Sequence, residues 1–486
     1  MYTVKSQTIK IADKLAQSKY NIPYLTLMKN AAMQIYKTVL PFLDKNKIVI
    51  LCGKGNNAGD GYELARILHS QDFNVNVINV FSHEPNSDEA KQCFEDFKNA
   101  GGKFTEPDNY FSEIEKADII IDAIFGVGFS GNIPSDSLTA KLICASNQNT
   151  DALKIAVDCP SGINCDDGTV DKNTFRAQIT TTLALYKTGL FSYPAREYCG
   201  KILLCDIGFP KQLYDELEYD CFVADDDYVK YILPKRPQNS HKGTFGKLLM
   251  FCASRYMTGC AVLCANAALR SGVGLLNIAR DKKTLSILQS HLAEPIFTPV
   301  STKNNFSRRK ILSLSDTCNA TLIGCGLGKD KNDVKTVHSL IKNSQSKLII
   351  DADGINALIE NINVLKEACS VPVITPHPAE FARLICCTVA QVQSNRLNLA
   401  RKFAKEYSCI VVLKGANTVI AAPDGKTAIN LTGNPGMATG GSGDVLAGII
   451  VSLLGQGMEP LTAAACGAWL HGSAGDLCAE QIGEYG

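Results

Sequence analysis

A glycine-rich segment at positions 440–444, Gly-Gly-Ser-Gly-Asp, directly precedes the apolar run Val445–Leu454. If this run is a helix, its first backbone N–H groups can bind a phosphate, because glycine leaves the main chain open to an anion. Asp444 then lies in the first turn, where a carboxylate can accept a proton from an attacking hydroxyl. The alternative, a helix-capping aspartate, explains Asp444 but not the run of glycines. The pattern therefore favours phosphoryl transfer.

The first half of the chain carries a second group of polar loops, each following an apolar run. They are 53–61 (Gly-Lys-Gly-Asn-Asn-Ala-Gly-Asp-Gly), Asp122 with 126–132, and 158–162 (Asp-Cys-Pro-Ser-Gly). In a parallel sheet the carboxyl ends of the strands meet at one edge, where ligands bind. We therefore expect a binding site there, although each Asn or Asp taken alone is also suited to capping a helix or turn.

Short apolar runs alternate with helical patterns in both halves of the chain, which predicts an α/β protein. Two doubly wound αβα domains are expected; the resemblances described below imply a Rossmann-like αβα sandwich for the N-terminal one and a ribokinase-like αβα fold for the C-terminal one. The predicted strands are 47–52, 75–80, 118–121, 154–157 and 202–205, then 246–251, 275–279, 320–323, 348–350, 373–375 and 410–413. Helices are predicted at 61–70, 87–100, 445–454 and 461–480.

The stretch 210–237 interrupts this alternation with prolines and an acidic triplet. We place the boundary there and predict domains at 1–218 and 219–486.

The net charge of +1 provides no global field for nucleic acid or an anionic membrane, and no apolar run is long enough for a bilayer. The N-terminus lacks the apolar run of a signal peptide, and nineteen scattered cysteines without a CxxC pair suggest buried thiols. A cytoplasmic protein is expected.

The N-terminal loops resemble those of the NAD(P)HX epimerases, which act on hydrated nicotinamide nucleotides, over about residues 5–215. Ala58 stands where that family usually has glycine, which is tolerable unless the backbone needs a positive φ. The resemblance implies a substrate pocket formed by Asn56, Asn57, Ala58, Gly59, Asp60, Gly126, Val127, Gly128, Phe129, Ser130, Gly131, Asn132 and Asp158.

The same resemblance implies a K⁺ ion held by Asn57, Asp122 and Ser161, an oxygen-only set that suits a hard cation. The implied isomerase reaction inverts C6 of the hydrated ring, with Asp158 as the catalytic acid/base. Lys187 is either an assisting group or a surface lysine at a strand end, and the sequence leaves both interpretations open.

The C-terminal half is similar to the ribokinase superfamily, and within it to the ADP-dependent NAD(P)H-hydrate dehydratases, over about residues 225–486. There is no Walker A loop. The resemblance rests on several loops in the family's order: 241–246, 259–274, 324–328, 351–354, 375–380, 414–418 and 434–444. Five or more ordered loops are far more specific than any one of them.

This resemblance implies a lyase in which Asp444 is the catalytic base and Ala261, Gly328, His377 and Asp444 contact the hydrated nucleotide. ADP, with Mg²⁺ bridging its phosphates, would be bound by Lys414, Gly415, Ala416, Asn417, Thr418, Asn434, Gly436, Met437, Ala438, Thr439, Gly440, Gly441, Ser442 and Gly443. Phosphorylation of the C6 hydroxyl followed by elimination would yield NAD(P)H, AMP and phosphate. Asp351 and Asp353 are either structural or linked to magnesium.

Together the two halves resemble a fused metabolite-repair enzyme, in which one domain interconverts (R)- and (S)-NAD(P)HX and the other dehydrates the (S) form. The alternative is a ribokinase-superfamily small-molecule kinase with a non-catalytic N-terminal binding module.

The sequence leaves open whether ADP or ATP is the phosphate donor and whether NADHX or NADPHX is preferred. The apolar closing helices suggest a homo-oligomer. The end at 483–486 comes where we expect more helix, so we expect a truncation that affects packing more than chemistry.

Overall fold

The computed structural model describes residues 1–43 and 47–485. The chain divides into two compact units, Tyr2–Cys221 and the part from Phe222 onward together with Met1. The division lies close to the predicted boundary after residue 218. Among the described residues, no helix has both the length and the apolar character that a membrane span requires. All nineteen cysteines are free thiols, and most are buried.

The N-terminal unit alternates strands and helices, with single 3₁₀ turns at Leu40–Phe42, Pro107–Asn109 and Thr188–Phe191. Its strands are β1 (Tyr2–Val4), β2 (Lys47–Cys52), β3 (Asn74–Asn79), β4 (Lys103–Phe104), β5 (Ile119–Ala123), β6 (Leu153–Val157), β7 (Ile179–Leu183), β8 (Tyr186–Lys187) and β9 (Lys201–Cys205). Its helices are α1 (Ser6–Ser18), α2 (Tyr24–Val39), α3 (Asn56–Ser70), α4 (Asp88–Asn99), α5 (Tyr110–Glu115), α6 (Leu138–Gln148), α7 (Arg196–Cys199) and α8 (Lys211–Tyr214).

The main sheet of this unit has the order β4-β3-β2-β5-β6-β7-β9, and every pairing is parallel. The chain runs outward from β2 to β4 and then returns to β5 on the other side of β2. Such a reversal creates a crevice at the carboxyl ends of the two central strands. The loops after β2 and β5, which carry Asn57 and the segment following Asp122, flank this switch point.

The C-terminal unit follows the same alternation, with 3₁₀ turns at Lys242–Phe245, Ile362–Glu367 and Pro435–Met437. Its strands are β10 (Cys221–Val223), β11 (Lys247–Phe251), β12 (Leu275–Arg280), β13 (Ile296–Pro299), β14 (Ala320–Ile323), β15 (Lys347–Ile350), β16 (Val373–Ile374), β17 (Ile410–Leu413), β18 (Val419–Ala421) and β19 (Thr427–Ile429). Its helices are α9 (Asp226–Ile232), α10 (Gly259–Arg270), α11 (Lys282–Leu288), α12 (Asn305–Asp316), α13 (Lys331–Asn343), α14 (Asp353–Leu358), α15 (Pro378–Leu384), α16 (Val389–Ser394), α17 (Arg396–Tyr407), α18 (Ser442–Gly455) and α19 (Pro460–Ile482).

The strands of this unit pair in the order β13-β12-β11-β14-β15-β16-β17-β18-β19-β10. Pairing is parallel from β13 to β17 and antiparallel along β17-β18-β19. The predicted α/β class, with two doubly wound units, is confirmed. The predicted strands 47–52, 320–323 and 410–413 have the observed bounds, and most others differ by one or two residues at an end.

Helix α18, which follows the glycine-rich segment, is buried from Leu446 to Gly455 within its own unit. It packs closely against α10, because a Cβ on Gly448 would lie 2.4 Å from the carbonyl oxygen of Cys264. Only glycine permits this approach without a shift of the backbone. The apolar character of α18 is therefore explained by packing within its own unit, whereas α19 exposes Leu477 and Ile482. The homo-oligomer stays a prediction.

Candidate active sites

The glycine-rich loop after β2 leads directly into α3, which begins at Asn56 rather than at the predicted Gly61. The first turn of α3 therefore carries the polar residues of the loop. A Cβ on Gly53 would lie 2.0 Å from the carbonyl oxygen of Ile124, so this position requires glycine for the close approach of two strand ends. Ala58 is helical with an ordinary negative φ, which explains why alanine is accepted there.

Asp158 lies just beyond β6 in a left-handed conformation with φ of 64°. Its Oδ1 accepts hydrogen bonds from Lys187 Nζ at 2.5 Å and from the Leu183 N–H at 3.2 Å, and its Oδ2 accepts from the Val127 N–H at 3.2 Å. Asp158 and Lys187 are only 6% and 1% exposed. Lys187 is thus a buried partner of Asp158, and the interpretation as a surface lysine is wrong.

Two further carboxyl groups, Asp60 and Asp13, complete the charge environment of this pair. Burial, with the charges of Asp158 and Asp13, raises the pKa of Asp60 well above its usual range, while Lys187 opposes the shift. Burial also raises the pKa of Asp13 to about 6, with Lys187 opposing the shift and Asp158 adding to it. Asp60 and Asp13 therefore hold a proton more readily than exposed aspartates do. Asp13 comes from α1 and was not predicted as a site residue.

Asn57, Asp122 and Ser161 lie in one connected hydrogen-bond network. Ser161 donates through its N–H and its Oγ to the two carboxylate oxygens of Asp122, both at 2.7 Å. Asn57 Nδ2 donates to the carbonyl oxygen of Phe125 at 3.0 Å, and the Phe125 N–H donates to Ser161 Oγ at 2.9 Å. Burial raises the pKa of Asp122 to about 6, although hydrogen bonds from Ser161 and Ile124 lower it.

The amide oxygen of Asn57 is buried and has no hydrogen-bond partner in the described part of the chain. Such an orphaned acceptor is costly unless a donor or a cation satisfies it. The residues present therefore fit the predicted K⁺ ion, since amide, hydroxyl and carboxylate oxygens all belong to this network.

The polar loops border a cavity of about 1030 Å³ within the N-terminal unit. This volume lies at the upper end of the range for ligand pockets, as a nucleotide-sized ligand requires. The predicted pocket residues in its lining are Asn56, Asn57, Asp60, Gly126, Val127, Gly128, Phe129, Ser130, Asn132 and Asp158. Lys187, which the sequence left open as an assisting group, also lines it, as do Lys54 and Asp13, which were not predicted as site residues. Ala58, Gly59 and Gly131 lie outside the lining. Ala58 is fully buried, Gly59 faces Met28, and Gly131 is exposed.

In the C-terminal unit, the glycine-rich segment forms the entry to α18. Gly441 adopts φ of 95° as the N-cap, a conformation that favours glycine. Residues 438–440 are exposed, so the main chain before the helix is open to a ligand. Ser442 Oγ lies 3.3 Å from His471 Nε2, which anchors the first residue of the helix to α19. The helix N-terminus is thus open on one side and fixed on the other, as an anion site requires.

Asp444 occupies the first turn of α18 and is partly exposed. Burial and the charge of Asp351 raise its pKa, while a hydrogen bond with Cys325 and the charge of Lys414 lower it. A carboxylate with a raised pKa is a better proton acceptor than an ordinary aspartate once it is ionised.

Lys414 places a positive charge beside the same turn. The Lys414 Nζ contacts Asp351 Oδ1 at 2.9 Å. A Cβ added to Gly443 would lie 3.2 Å from the same Nζ atom. Burial acts to lower the pKa of Lys414, but the charges of Asp351 and Glu380 outweigh this and raise it. An ammonium group so close to the glycine-rich turn can bind a phosphate that the backbone amides also contact.

The other acidic residues of the loops hold the framework. Asp351 accepts from Thr375 Oγ1 at 2.7 Å and from Cys325 Sγ at 3.4 Å in addition to Lys414. Asp353 accepts from the Gly328 N–H at 2.8 Å and from Asn356 Nδ2 at 3.2 Å. These bonds favour structural roles for both carboxylates.

His377 caps α15 in a reciprocal arrangement with Glu380. Its Nδ1 accepts from the N–H groups of Ala379 and Glu380, and the His377 N–H donates to Glu380 Oε2 at 2.8 Å. Burial lowers the pKa of His377, although Glu380 raises it. Because Nδ1 is an acceptor, a neutral ring carries its hydrogen on Nε2, which lies 3.5 Å from Glu380 Oε1. Of the other residues predicted to contact the hydrated nucleotide, Gly328 is partly exposed, whereas the Ala261 side chain is fully buried in α10.

The predicted nucleotide loop 414–418 is shaped by Arg396, which the sequence interpretation missed. The Arg396 guanidinium donates to the carbonyl oxygens of Leu413, Lys414 and Ala416. Gly415 adopts φ of 138°, and a Cβ there would lie 2.9 Å from this guanidinium. The start of the second predicted nucleotide segment, 434–443, is held by α19. Asp476 accepts from the Gly433 N–H at 2.8 Å and from Asn434 Nδ2 at 3.0 Å.

Two α/β units, each with polar residues gathered at its own strand ends and loops, have the architecture of a two-site enzyme. Residues 248–485 match the family model described as NAD(P)H-hydrate dehydratase, and residues 25–189 match that described as YjeF-related protein N-terminus. A solved ADP/ATP-dependent NAD(P)H-hydrate dehydratase from Bacillus subtilis is 29% identical with a TM-score of 0.49, covering 55% of this chain and 93% of that chain.

Full-length relatives match along the whole chain. The bifunctional NAD(P)H-hydrate repair enzyme Nnr of Moorella thermoacetica is 37% identical, covering 100% of this chain and 94% of the relative. The enzyme of the same name from Escherichia coli is 32% identical, covering 98% of this chain and 88% of the relative. The chain belongs to the family of bifunctional NAD(P)H-hydrate repair enzymes, and the predicted resemblance is confirmed.

Proposed function

We propose that the chain repairs hydrated NADH and NADPH with one activity in each unit. The N-terminal unit interconverts the (R) and (S) hydrates, and the C-terminal unit dehydrates the (S) hydrate at the expense of ADP. The observation that carries the second assignment is the position of Asp444, in the first turn of a helix whose preceding main chain is open and beside the Lys414 ammonium. The assignment of the epimerase to the N-terminal unit rests on the cavity of about 1030 Å³ that Asp158 borders.

In the dehydratase step, Asp444 takes the proton of the C6 hydroxyl while that oxygen attacks the terminal phosphate of ADP. The amides of 440–443 and the Lys414 ammonium stabilise the charge that develops on the phosphate. AMP leaves, and the phosphate ester, a far better leaving group than hydroxide, is eliminated with loss of a proton from the neighbouring ring carbon. The products are NAD(P)H, AMP and phosphate. In this proposal His377 orients the hydrate, and the loop 414–418 holds ADP.

Mg²⁺ supplies charge neutralisation of the ADP phosphates when it is bound. Asp351 and Asp353 already bond to Lys414, Thr375, Gly328 and Asn356. We therefore propose that the ADP phosphates would supply most of the ligands of the ion and that Asp444 would be the protein carboxylate available to it.

In the epimerase step, Asp158 removes the proton of the C6 hydroxyl, which opens the ring between the nitrogen and C6. Reclosure on the other face and return of the proton invert C6. Lys187 holds the ionised Asp158 in place, and its three hydrogen bonds, to Asp158, Thr182 and Leu183, fix its own position. Asp60 and Asp13 surround the pair and provide further sites for the proton.

We propose that K⁺ binds the network of Asn57, Asp122 and Ser161. Calorimetry is expected to show a higher melting temperature in K⁺ than in Li⁺ at the same ionic strength, by an amount equivalent to about 1.4 kcal/mol at ten times the dissociation constant. Asn57→Ala should abolish the difference, because it removes the orphaned amide oxygen. Asn56→Ala, the exposed neighbour in the same turn, should retain it. An equal response of the two variants would contradict the assignment.

Dehydratase activity is expected to fall as the pH decreases through the pKa of Asp444, because the base must be ionised. Burial and Asp351 raise that pKa, so the acid limb of kcat/KM should lie above the range of an exposed aspartate. The hydrogen bond from Cys325 opposes the shift, so Cys325→Ala should move the limb to still higher pH. A limb that stays in place in Cys325→Ala, relative to the buried-cysteine control Cys409→Ala, would contradict this role.

The proposed pair of activities is tested with hydrated NADPH and ADP. Loss of the hydrate with stoichiometric AMP and NADPH supports it, whereas a stable phosphorylated product would indicate a kinase. The choice of ADP over ATP, the homo-oligomer and the cytoplasmic location stay predictions.

A further inference from the structure

Two buried thiols lie close to the carboxylate of Asp444. Cys264 is on α10 and Cys325 follows β14, and both side chains are fully buried. The sulfur atoms of Cys264 and Cys325 and a carboxylate oxygen of Asp444 all lie within 4.8 Å of one another. The proposed dehydration uses the carboxylate but assigns no ligand to the two thiols.

The fold holds these three groups together through close backbone contacts. Gly448, one helical turn after Asp444, lets α18 touch the backbone of Cys264, where any side chain would clash. Cys325 is flanked by Gly324 and Gly326, with φ of 119° and 62°. The Cys325 thiol also donates to Asp351 at 3.4 Å. The cluster is therefore preorganised by the framework of the unit.

The donor set of two sulfurs and one carboxylate oxygen matches the ligands of a soft or borderline divalent cation and differs from the all-oxygen sets of Mg²⁺ or K⁺. We propose that Cys264, Cys325 and Asp444 form a binding site for a thiophilic divalent cation of the zinc class. Binding forms two metal–sulfur bonds and one metal–oxygen bond, and the two thiol protons pass to solvent. Asp444 is the one partly exposed member of the cluster.

A metal ion suits these thiols better than a disulfide does. Both sulfur atoms are fully buried, and a carboxylate oxygen of Asp444 lies within 4.8 Å of each of them. A disulfide would use the two sulfurs and leave the carboxylate without a role, whereas a cation binds all three groups.

Occupation of the site would remove the proposed base of the dehydratase and leave the epimerase unaffected. This consequence rests on the proposed function, whereas binding of the ion does not. The same chain therefore carries an internal control, since both activities can be measured in one sample.

Binding is tested by titrating Cd²⁺ into the reduced full-length protein and recording thiolate-to-metal charge-transfer absorbance and heat. The wild type and Cys466→Ala, which removes a buried thiol of the same unit elsewhere, should show the same tightest site. In Cys264→Ala the affinity of this site should be at least roughly tenfold lower. Exposed thiols such as Cys144 and Cys478 contribute equally to all three proteins. An unchanged tight site in Cys264→Ala would overturn the proposal.

Inhibition is tested with Mg²⁺ and ADP in excess. One equivalent of Cd²⁺ or Zn²⁺ should lower wild-type dehydratase activity at least roughly tenfold, leave epimerase activity within about twofold, and be reversed by a dithiol chelator. Cys264→Ala should require roughly tenfold more metal for the same loss. Equal midpoints in the wild type and Cys264→Ala would overturn the inhibitory role. If no dehydratase activity is found, the proposed function fails, and the absorbance titration still decides whether the site exists.

Discussion

Asp444→Asn is expected to lower ADP-dependent dehydration of hydrated NADPH by roughly 10²- to 10⁴-fold, the range for loss of a general base. Asparagine has nearly the same shape but cannot accept the proton of the attacking hydroxyl. The open main chain and Lys414 remain in place, so the KM for ADP should change little. The measurement is the initial rate of AMP and NADPH formation under saturating ADP.

Two controls accompany this variant. Asp227→Asn, an exposed aspartate of α9, should keep wild-type dehydratase activity. Epimerase activity of Asp444→Asn should equal that of the wild type, since its site belongs to the other unit. Full turnover by Asp444→Asn would refute the assignment of the base, and loss of both activities would indicate misfolding instead.

Asp158→Asn is expected to lower the rate of interconversion of the two hydrates by roughly 10²- to 10⁴-fold while leaving dehydration of the (S) hydrate intact. The carboxylate is the group that removes the C6 hydroxyl proton, and the variant leaves Lys187 without its ionised partner. Chiral separation of the hydrates at early times gives the rate.

Asp136→Asn, an exposed aspartate of the same unit, is the matched control and should interconvert the hydrates normally. If Asp158→Asn were as fast as this control, the N-terminal unit would be a binding module, or its acid/base would be another carboxyl group. Asp60 and Asp13 are then the remaining candidates, because both have raised pKa values beside Lys187.

Most of the fold could be predicted because the strands are buried on both faces and appear as continuous apolar runs. β2 and β5 are examples, and both were found from the sequence. β7 was missed because Thr180, Thr181 and Thr182 make it look polar, although all three are fully buried. Their hydroxyls bond to carbonyl groups or to Lys187, which only the structure reveals.

The residues at strand ends could be found from the sequence because parallel topology brings those ends together. Asp158 and the loop after Asp122 follow this rule. Asp13, Arg396 and Cys264 could not be found, because each approaches its site from the face of a helix that is distant in sequence. Lys187 could be placed near a strand end, but its burial against Asp158 depends on tertiary packing.

An equal mixture of the (R) and (S) hydrates of NADPH, supplied with excess ADP and Mg²⁺, tests the whole account in one progress curve. The wild type should convert all of the hydrate to NADPH, Asp158→Asn should pause once the (S) half is consumed, and Asp444→Asn should interconvert the two hydrates without forming NADPH. Complete conversion by Asp158→Asn at the wild-type rate, or NADPH formation by Asp444→Asn at the wild-type rate, would contradict the account.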